Sequence, residues 1–239
     1  MIQFYAPDIA TSKTLPESDS RHCSKVLRMV AGDMVEVVDG KGNRYQCEII
    51  NADPKRTSVE IVSCETLNKF RKGEILLAVA PTKHLDRMEW MVEKLTEIGI
   101  DRIIPVLCDR SERREIKTER LEKIAVSAMK QSLQAYLPKI DPMTKFSDII
   151  TSFRDYRRYI CHCDETSTRR ELYEIGRDGD KTIIMIGPEG DFSPKEIERA
   201  LSSGWEPVTL GENRLRTETA ALVAVNTIHL TEKIHTNKC

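Results

Sequence analysis

The sequence lacks the patterns that identify several large classes of protein. Its 239 residues include seven cysteines, but no two form a CxxC pair or a repeated spacing typical of a metal site. There is also no GxGxxG turn after an early strand, no Walker loop and no GxSxG motif. These absences argue against zinc modules, dinucleotide and nucleotide-triphosphate enzymes, and nucleophilic hydrolases. We predict reduced thiols and no metal.

Long apolar runs and an excess of either charge are missing as well. The first residues, MIQFYAPDIA, show no basic region followed by a long apolar stretch, and runs such as ILLAVA (75–80) are much shorter than a membrane span. We therefore expect a cytoplasmic protein without a membrane anchor. The formal net charge is -1, so any contact with nucleic acid has to come from local basic patches.

The sequence contains two segments with different patterns. Residues 1–70 hold short runs rich in Val, Ile and Tyr, and the turn residues DGKG (39–42) between two of these runs predict a hairpin in a small β barrel or sheet. One short helix is predicted within SRHCSKVLRMV (20–30). The polar stretch LNKFRKGE (67–74) is the predicted linker to the second segment.

Residues 71–239 alternate between strand and helix patterns. In DRMEWMVEKLTEIG (86–99), apolar residues recur at steps of three and four, which predicts a helix that packs one face on a sheet. The alternation continues to a last helix through ALVAVNTIHL (221–230). This order predicts an α/β domain with a mostly parallel sheet.

The stretch IGPEGDFSPKE (186–196) predicts a strand that enters a helix through a turn. Ser193 and Glu196 can form a capping box that defines the helix start. In open α/β sheets, turns at the carboxyl ends of strands bind ligands. Because this turn carries Glu189 and Asp191, it suits a ligand with hydroxyls or positive charge better than a phosphate. A plain Gly-Pro turn with solvated carboxylates remains the alternative.

A second turn of this kind lies in LGENRLRTETAALVAV (210–225). A short strand ends at Gly211, and a helix begins near Thr217. Only one helix separates the strands that lead into the two turns. We therefore predict that the two turns lie side by side and line one pocket.

The run CHCDE (161–165) contains metal-ligand residue types. However, neighbouring side chains in CHC point to opposite faces of a strand, and no second ligand cluster is evident. We interpret this run as a strand end beside the pocket.

The two turns resemble the paired signature of the SPOUT methyltransferases of the RsmE type. That signature is IGPEG followed by FSxxE, and further along LGxNRLRTETA. The motifs HCSKVLRMVAGD, VVDGKG, EKLTEIGI, IPVLCDRS and AMKQSLQAYLP agree with the same family. The resemblance covers nearly the whole chain, and LRTETA is its most specific part.

The resemblance implies a fold and an activity. It implies a PUA-like β-barrel RNA-binding domain at 1–70, and at 71–239 a SPOUT methyltransferase domain that ends in a trefoil knot. Proteins of this type use S-adenosylmethionine to methylate N3 of a uridine in 16S ribosomal RNA of the small ribosomal subunit. They pair as homodimers. An RNA-binding assembly factor without turnover, or a related methyltransferase with another RNA target, remains open.

The same resemblance assigns roles to individual residues. The residues expected to bind the cofactor are Gly187, Pro188, Glu189, Gly190, Leu210, Gly211, Leu215, Arg216, Thr217 and Thr219. Arg216 is the candidate for stabilising the developing uridine anion and Glu218 the candidate proton acceptor. An ordinary Arg216–Glu218 charge pair at the helix start is the alternative.

A further set of residues is expected to contact RNA. These residues are His22, Lys25, Arg28, Lys83, Arg87, Arg110, Arg113, Arg114 and Gln131. Solvated surface charge is the alternative for the basic ones. The chain departs from the family pattern at Asp191, where a glycine is usual, and at Gln134, where an arginine is usual.

Overall fold

The structure is a computed structural model of the chain. It describes residues 2–69, 71–164, 168–175 and 181–236. Contacts within the chain separate two compact units, Met1–Phe70 with Val126–Leu137, and Arg71–Ala125 with Pro138–Cys239.

The predicted division at residue 70 differs from these units in residues 126–137. This segment makes its contacts with the first unit. Lys130 Nζ lies 2.6 Å from Asp19 Oδ1, and Gln3 Nε2 donates a hydrogen bond to the carbonyl oxygen of Gln134 (2.8 Å). Because these contacts join residues far apart in the sequence, a boundary drawn from composition does not reveal them. The assignment of functions to the two domains remains a prediction.

The first unit is built on one four-stranded sheet. Its strands are β1 (Gln3–Tyr5), β2 (Met34–Val38), β3 (Asn43–Asn51) and β4 (Ser58–Thr66), paired in this order. Its helices are α1 (Ile9–Ser12) and α2 (Glu17–Arg21), and α2 continues into a π-helical turn at His22–Val26. β2 and β3 are antiparallel, which confirms the predicted hairpin. The predicted short helix begins earlier than expected, at Glu17.

The second unit is an α/β fold around a parallel sheet. Its strands are β5 (Glu74–Val79), β6 (Arg102–Leu107), β7 (Lys139–Ile140), β8 (Thr144–Lys145), β9 (Arg157–Cys161), β10 (Arg170–Glu171), β11 (Lys181–Ile186) and β12 (Glu206–Thr209). Its helices are α3 (Leu85–Ile98), α5 (Phe146–Thr151), α6 (Leu172–Ile175), α7 (Pro194–Ser202) and α8 (Thr217–Thr236). α4 (Thr118–Gln131) begins in this unit, and its last residues belong to the first.

The strand order positions the predicted turns. The sheet runs β10-β12-β9-β11-β5-β6-β7, with β8 paired to β6, and every pair is parallel. β5 and β11 lie side by side at its centre and are buried on both faces, as expected for inner strands of a parallel sheet. The predicted α/β class is confirmed. The strand pairing does not test the threading of a knot, which remains a prediction.

The sequence patterns do not predict the shortest elements of the second unit. The two-residue strands β7 and β8 and the short helix α5 are too brief to produce a period in the sequence.

Among the described residues, no helix combines the length and the apolar character needed to cross a bilayer.

Gly42 in the β2–β3 turn provides a test of the first unit. It has a φ of 103°, and a Cβ at this position would overlap the ring of Tyr136. Gly32 also has a positive φ, 92°, but nothing lies within 4 Å of its would-be Cβ. We expect Gly32→Ala to cost about 1 kcal/mol of stability from backbone strain alone. Gly42→Ala should cost about 3 kcal/mol, because steric overlap is added to the same strain.

Urea unfolding of the two variants measures this difference. Equal losses of stability in the two variants would contradict the described packing of Tyr136 on the hairpin turn.

Candidate cofactor and active site

The first predicted turn begins where β11 ends, at Ile186, and leads into α7. Ser193 Oγ accepts a hydrogen bond from the backbone N–H of Glu196 (3.2 Å), and Glu196 Oε2 accepts one from the backbone N–H of Ser193 (2.8 Å). The predicted capping box is therefore confirmed. It satisfies backbone groups that would otherwise be unpaired at the helix start, so the end of the turn is held in one conformation.

Glu196 has a second role that the sequence does not indicate. Its Oε1 accepts a hydrogen bond from the backbone N–H of Asp109 (2.8 Å), and Ser193 Oγ donates one to Asp109 Oδ2 (2.7 Å). Asp109 follows β6 by two residues. The capping box thus ties the turn after β11 to the loop after β6.

Asp191 adopts a backbone conformation that is most favourable for glycine. Its φ is 61°, in the left-handed region, and its N–H donates to the carbonyl oxygen of Pro188 (2.9 Å). Its carboxylate accepts hydrogen bonds from the backbone N–H groups of Phe192 (2.8 Å) and Cys163 (2.9 Å). Aspartate is among the side chains that tolerate this conformation, and these two bonds anchor it there. The departure from the family pattern therefore preserves the turn.

The second turn follows β12. Gly211 has a φ of 109° and no atom within 4 Å of its would-be Cβ, so there is open space beside the backbone. Thr209 Oγ1 donates to the carbonyl oxygen of Gly211 (3.0 Å) and closes the turn. Leu210 and Leu215 are half-buried, so each leaves apolar surface exposed.

One hydrogen bond joins the two turns. Thr217, the first residue of α8, is buried, and its Oγ1 donates to the carbonyl oxygen of Gly187 (3.2 Å). β12 and β11 are not neighbours in the sheet, since β9 lies between them. The predicted proximity of the turns is nevertheless confirmed, because the start of α8 reaches the end of β11.

The carboxylate of Glu218 is buried at the start of α8. The residue is 7% exposed, Arg87 Nε of α3 lies 3.8 Å from its Oε1, and its Oε2 has no hydrogen-bond partner among the described residues. Arg216 is exposed and forms no ion pair in the part of the chain that the structure describes. The charged partner of Glu218 is therefore Arg87, and the alternative of an Arg216–Glu218 pair is wrong.

The predicted cofactor residue Glu189 is already engaged within this unit. Its Oε1 accepts a hydrogen bond from the backbone N–H of Lys83 (2.9 Å), in the loop between β5 and α3. The ammonium group of Lys83 lies 2.9 Å from Glu112 Oε2, an exposed pair. Glu189 thus connects the loops that follow β5 and β11.

Two of the predicted RNA contacts bind backbone carbonyl groups instead of standing free. Arg110 donates to the carbonyl oxygens of Gly190 (2.9 Å) and Phe192 (3.3 Å). Arg113 donates to those of Thr82 (3.1 Å) and Lys83 (2.7 Å). Arg114 is exposed. Backbone acceptors leave no trace in a sequence pattern, so the sequence does not indicate this bracing of the loops.

The remaining predicted RNA residues lie in the first unit. Lys25 and Arg28 are exposed, and Arg28 has a φ of 56° just after the π-helical turn. His22 is half-buried and its ring contacts that of Phe4 edge to face. Gln131 is exposed at the end of α4. Their contact with RNA remains a prediction.

The CHC run lies at the strand end that we predicted. β9 ends at Cys161, which pairs in register with Ile186 of β11 and with Val208 of β12. Burial raises the pKa of the Cys161 thiol and lowers the pKa of His162. A buried, protonated thiol is a poor metal ligand. Glu165 lies outside the described residues, and within those described no cluster of three metal-binding side chains occurs.

Family models match both parts of the chain. A model described as an RNA methyltransferase domain matches residues 69–229, and one described as an RNA methyltransferase PUA domain matches residues 15–62. The predicted order of a PUA-like domain before a methyltransferase domain is thereby confirmed.

Solved structures are similar over almost the full length. A probable rRNA methyltransferase from Porphyromonas gingivalis is 45% identical, with a TM-score of 0.94 over 98% of this chain and 100% of that one. The ribosomal RNA small subunit methyltransferase E of Neisseria gonorrhoeae, bound to S-adenosyl methionine, is 27% identical, with a TM-score of 0.85 over 96% of this chain and 97% of that one.

Curated relatives carry the same description. The ribosomal RNA small subunit methyltransferase E of Buchnera aphidicola (subspecies Acyrthosiphon pisum) is 30% identical over 226 residues, which cover 90% of this chain and 86% of the relative. This similarity and the match to the methyltransferase model establish the family. The chain belongs to the ribosomal RNA small subunit methyltransferase E family of RNA methyltransferases.

Proposed function

We propose that this protein uses S-adenosylmethionine to methylate N3 of a uridine in 16S ribosomal RNA of the small ribosomal subunit. Family membership supports RNA methyl transfer, and the structural relative from Neisseria gonorrhoeae is bound to S-adenosyl methionine. The observation that carries the proposal is the Thr217–Gly187 hydrogen bond, which holds together the two turns that the family signature marks. A ribosomal RNA substrate also implies that the enzyme acts in the cytoplasm.

The turns suit the proposed cofactor in shape and in charge. Open space beside Gly211 admits a ligand close to the backbone, and the half-buried Leu215 offers an apolar surface to an adenine ring. The turn after β11 carries the carboxylates of Glu189 and Asp191. A ligand with ribose hydroxyls, an ammonium group and a sulfonium supplies donors and positive charge to such a site. When bound, the cofactor supplies an electrophilic methyl group on sulfur.

The chain then has to align the base and remove a proton. Uridine N3 is a weakly acidic imide nitrogen, which becomes a good nucleophile when it loses its proton. Arg216 is exposed in the second turn. In the proposed reaction, its guanidinium stabilises negative charge on the uracil ring. Glu218, two residues further on, is the acceptor for the proton. Because paired bases hide N3, the target has to be unpaired or drawn out of its stack.

The basic residues that we expect to contact RNA have two roles. Arg110 and Arg113 brace the loops through backbone carbonyl groups. Lys83, Arg114 and the first-unit residues Lys25 and Arg28 remain exposed for contact with phosphates. Each phosphate contact adds affinity that depends on salt and not on sequence.

The second unit also has surface suited to a homodimer. Trp90 on α3 is 42% exposed and Leu230 on α8 is 50% exposed, and these two helices pack on each other. Large apolar side chains exposed on packed helices are typical of interfaces between protein chains. We propose that a second copy of this chain covers them.

A charge at this surface tests the homodimer. We expect light scattering to give the mass of two chains for the wild type and of one chain for Leu230→Glu, because a buried carboxylate without a partner is costly. Tyr173, a residue of α6 that is 60% exposed, provides the matched control. Tyr173→Glu should remain dimeric. A monomeric wild type, or a dimeric Leu230→Glu protein, would contradict the proposal.

Mass mapping of ribosomal RNA tests the activity itself. In cells that lack this protein, 16S RNA should contain no N3-methyluridine, and expression of the wild type should restore it. Arg216→Ala should restore less than about 1% of the modification under limiting expression, because loss of charge stabilisation costs on the order of 10² in rate.

The alternatives predict different results. An assembly factor without turnover would leave N3-methyluridine unchanged when it is removed. A methyltransferase with another target would cause the loss of a different methylated nucleoside. Either result would overturn the proposed reaction.

A further inference from the structure

The contact between Arg87 and Glu218 suggests a role for Arg87 other than phosphate binding. Arg87 lies in the first turn of α3 and its side chain is 32% exposed, while the side chain of Glu218 is 9% exposed. The Arg87 Nε atom lies 3.8 Å from Glu218 Oε1. A guanidinium that faces a buried carboxylate is directed into the unit, whereas a phosphate ligand has to present its charge to solvent.

The environment of Glu218 makes this contact important. Removing a carboxylate from water is costly unless charges or hydrogen bonds compensate for the loss. Two features compensate here, the guanidinium of Arg87 and the start of α8, where unpaired backbone N–H groups favour negative charge. In the described part of the chain, Arg87 is the only side chain that forms an ion pair with Glu218.

The two oxygens of Glu218 have different partners. Oε1 faces Arg87, while Oε2 is buried and accepts no hydrogen bond from any described residue. Buried acceptors are nearly always satisfied in folded proteins, so an unsatisfied one calls for an explanation. Thr217, the preceding residue, is bonded to Gly187, so Glu218 stands next to the joined turns.

We infer that Arg87 is a positioning residue that orients Glu218 so that Oε2 faces the uracil imide of the bound RNA. This inference rests on the proposed function. The N3–H proton passes to Oε2 of Glu218, and the N3 electron pair forms a bond to the methyl carbon. The bond from that carbon to the cofactor sulfur breaks, and its electron pair remains on sulfur. Arg87 touches neither the base nor the cofactor and acts only through the carboxylate.

Single-turnover methylation of a small-subunit RNA substrate tests this arrangement. Glu218→Gln should lower the rate about 100-fold, the scale of a lost general base. Arg87→Gln should lower it about 10-fold, with the charge-retaining Arg87→Lys intermediate. In the Arg87→Gln/Glu218→Gln double variant, the rate should equal that of Glu218→Gln alone, because a residue that acts only through Glu218 has nothing left to position.

A matched control comes from a second ion pair on the same helix. Arg120 Nε of α4 lies 2.5 Å from Glu89 Oε1 of α3. Arg120→Gln removes an α3 ion pair of the same chemistry and should leave the rate unchanged. A 10-fold loss in this variant would show that any disturbance of α3 slows the reaction, and would overturn the specific role of Arg87.

RNA affinity separates positioning from phosphate binding. If Arg87 positions Glu218, Arg87→Gln should bind RNA as tightly as the wild type and with the same dependence on salt. If Arg87 instead binds a phosphate, Arg87→Gln should bind RNA more weakly than the wild type. The slope of log K against log salt should then be smaller by about 0.7 to 0.9. That result, or independent and multiplying losses of rate in the double variant, would overturn the inference.

The wild-type protein tests the proposed function, whereas the variants test the role of Arg87. A wild type that transfers no methyl group to uridine N3 would refute the proposed function. The comparison of RNA affinity needs no turnover, so it still decides whether Arg87 binds phosphate. With an active wild type, the variants alone decide whether Arg87 acts through Glu218.

Discussion

The site depends on one buried hydrogen bond, from Thr217 Oγ1 to the carbonyl oxygen of Gly187 (3.2 Å). The two strands that lead into the turns are separated by β9, so sheet pairing alone does not bring the turns together. The bond places the start of α8 against the end of the central strand β11. Leu215, Arg216 and Glu218 lie within two residues of Thr217 and are positioned with it. A buried carbonyl that loses its donor costs about 1 to 3 kcal/mol, so the site has little freedom to open at this point.

Further contacts hold the surrounding loops in place. Glu196 bonds both to the start of α7 and to Asp109 after β6, while Glu189 bonds to the loop after β5. The loops after β5, β6 and β11 are therefore connected by carboxylates that accept backbone N–H bonds. Such bonds fix the geometry before a ligand arrives, so that less ordering entropy has to be lost on binding.

Much of this arrangement could be predicted from the sequence because the signals are local. The capping box joins Ser193 to a residue three positions later, and the period of apolar residues in α3 records which face is buried. The family signature identified both turns and a PUA-like domain ahead of them. The proximity of the turns followed from their position at the ends of nearby strands.

Other features could not be predicted because they depend on residues far apart in the chain. Arg87 and Glu218 meet only after α3 and α8 have packed, so a helical pattern leaves Arg87 looking like a surface cation. Arg113 binds backbone carbonyl groups. Every residue carries such an acceptor, so the sequence does not show which carbonyl groups an arginine will bind. Lys130 pairs with Asp19 and thereby joins the end of α4 to the first unit. The side-chain pattern of α4 gives no indication of this change of unit.

The central claim is that the bond between Thr217 and Gly187 shapes the cofactor site. Calorimetric titration of S-adenosylmethionine into Thr217→Val and Thr217→Ser tests it most directly, because valine keeps the shape of threonine without the hydroxyl and serine keeps the donor. We predict that Thr217→Val binds the cofactor about 10-fold more weakly than the wild type, which corresponds to about 1.4 kcal/mol, while Thr217→Ser binds within about 3-fold of it. Wild-type affinity in Thr217→Val, with an unchanged fold, would contradict the account.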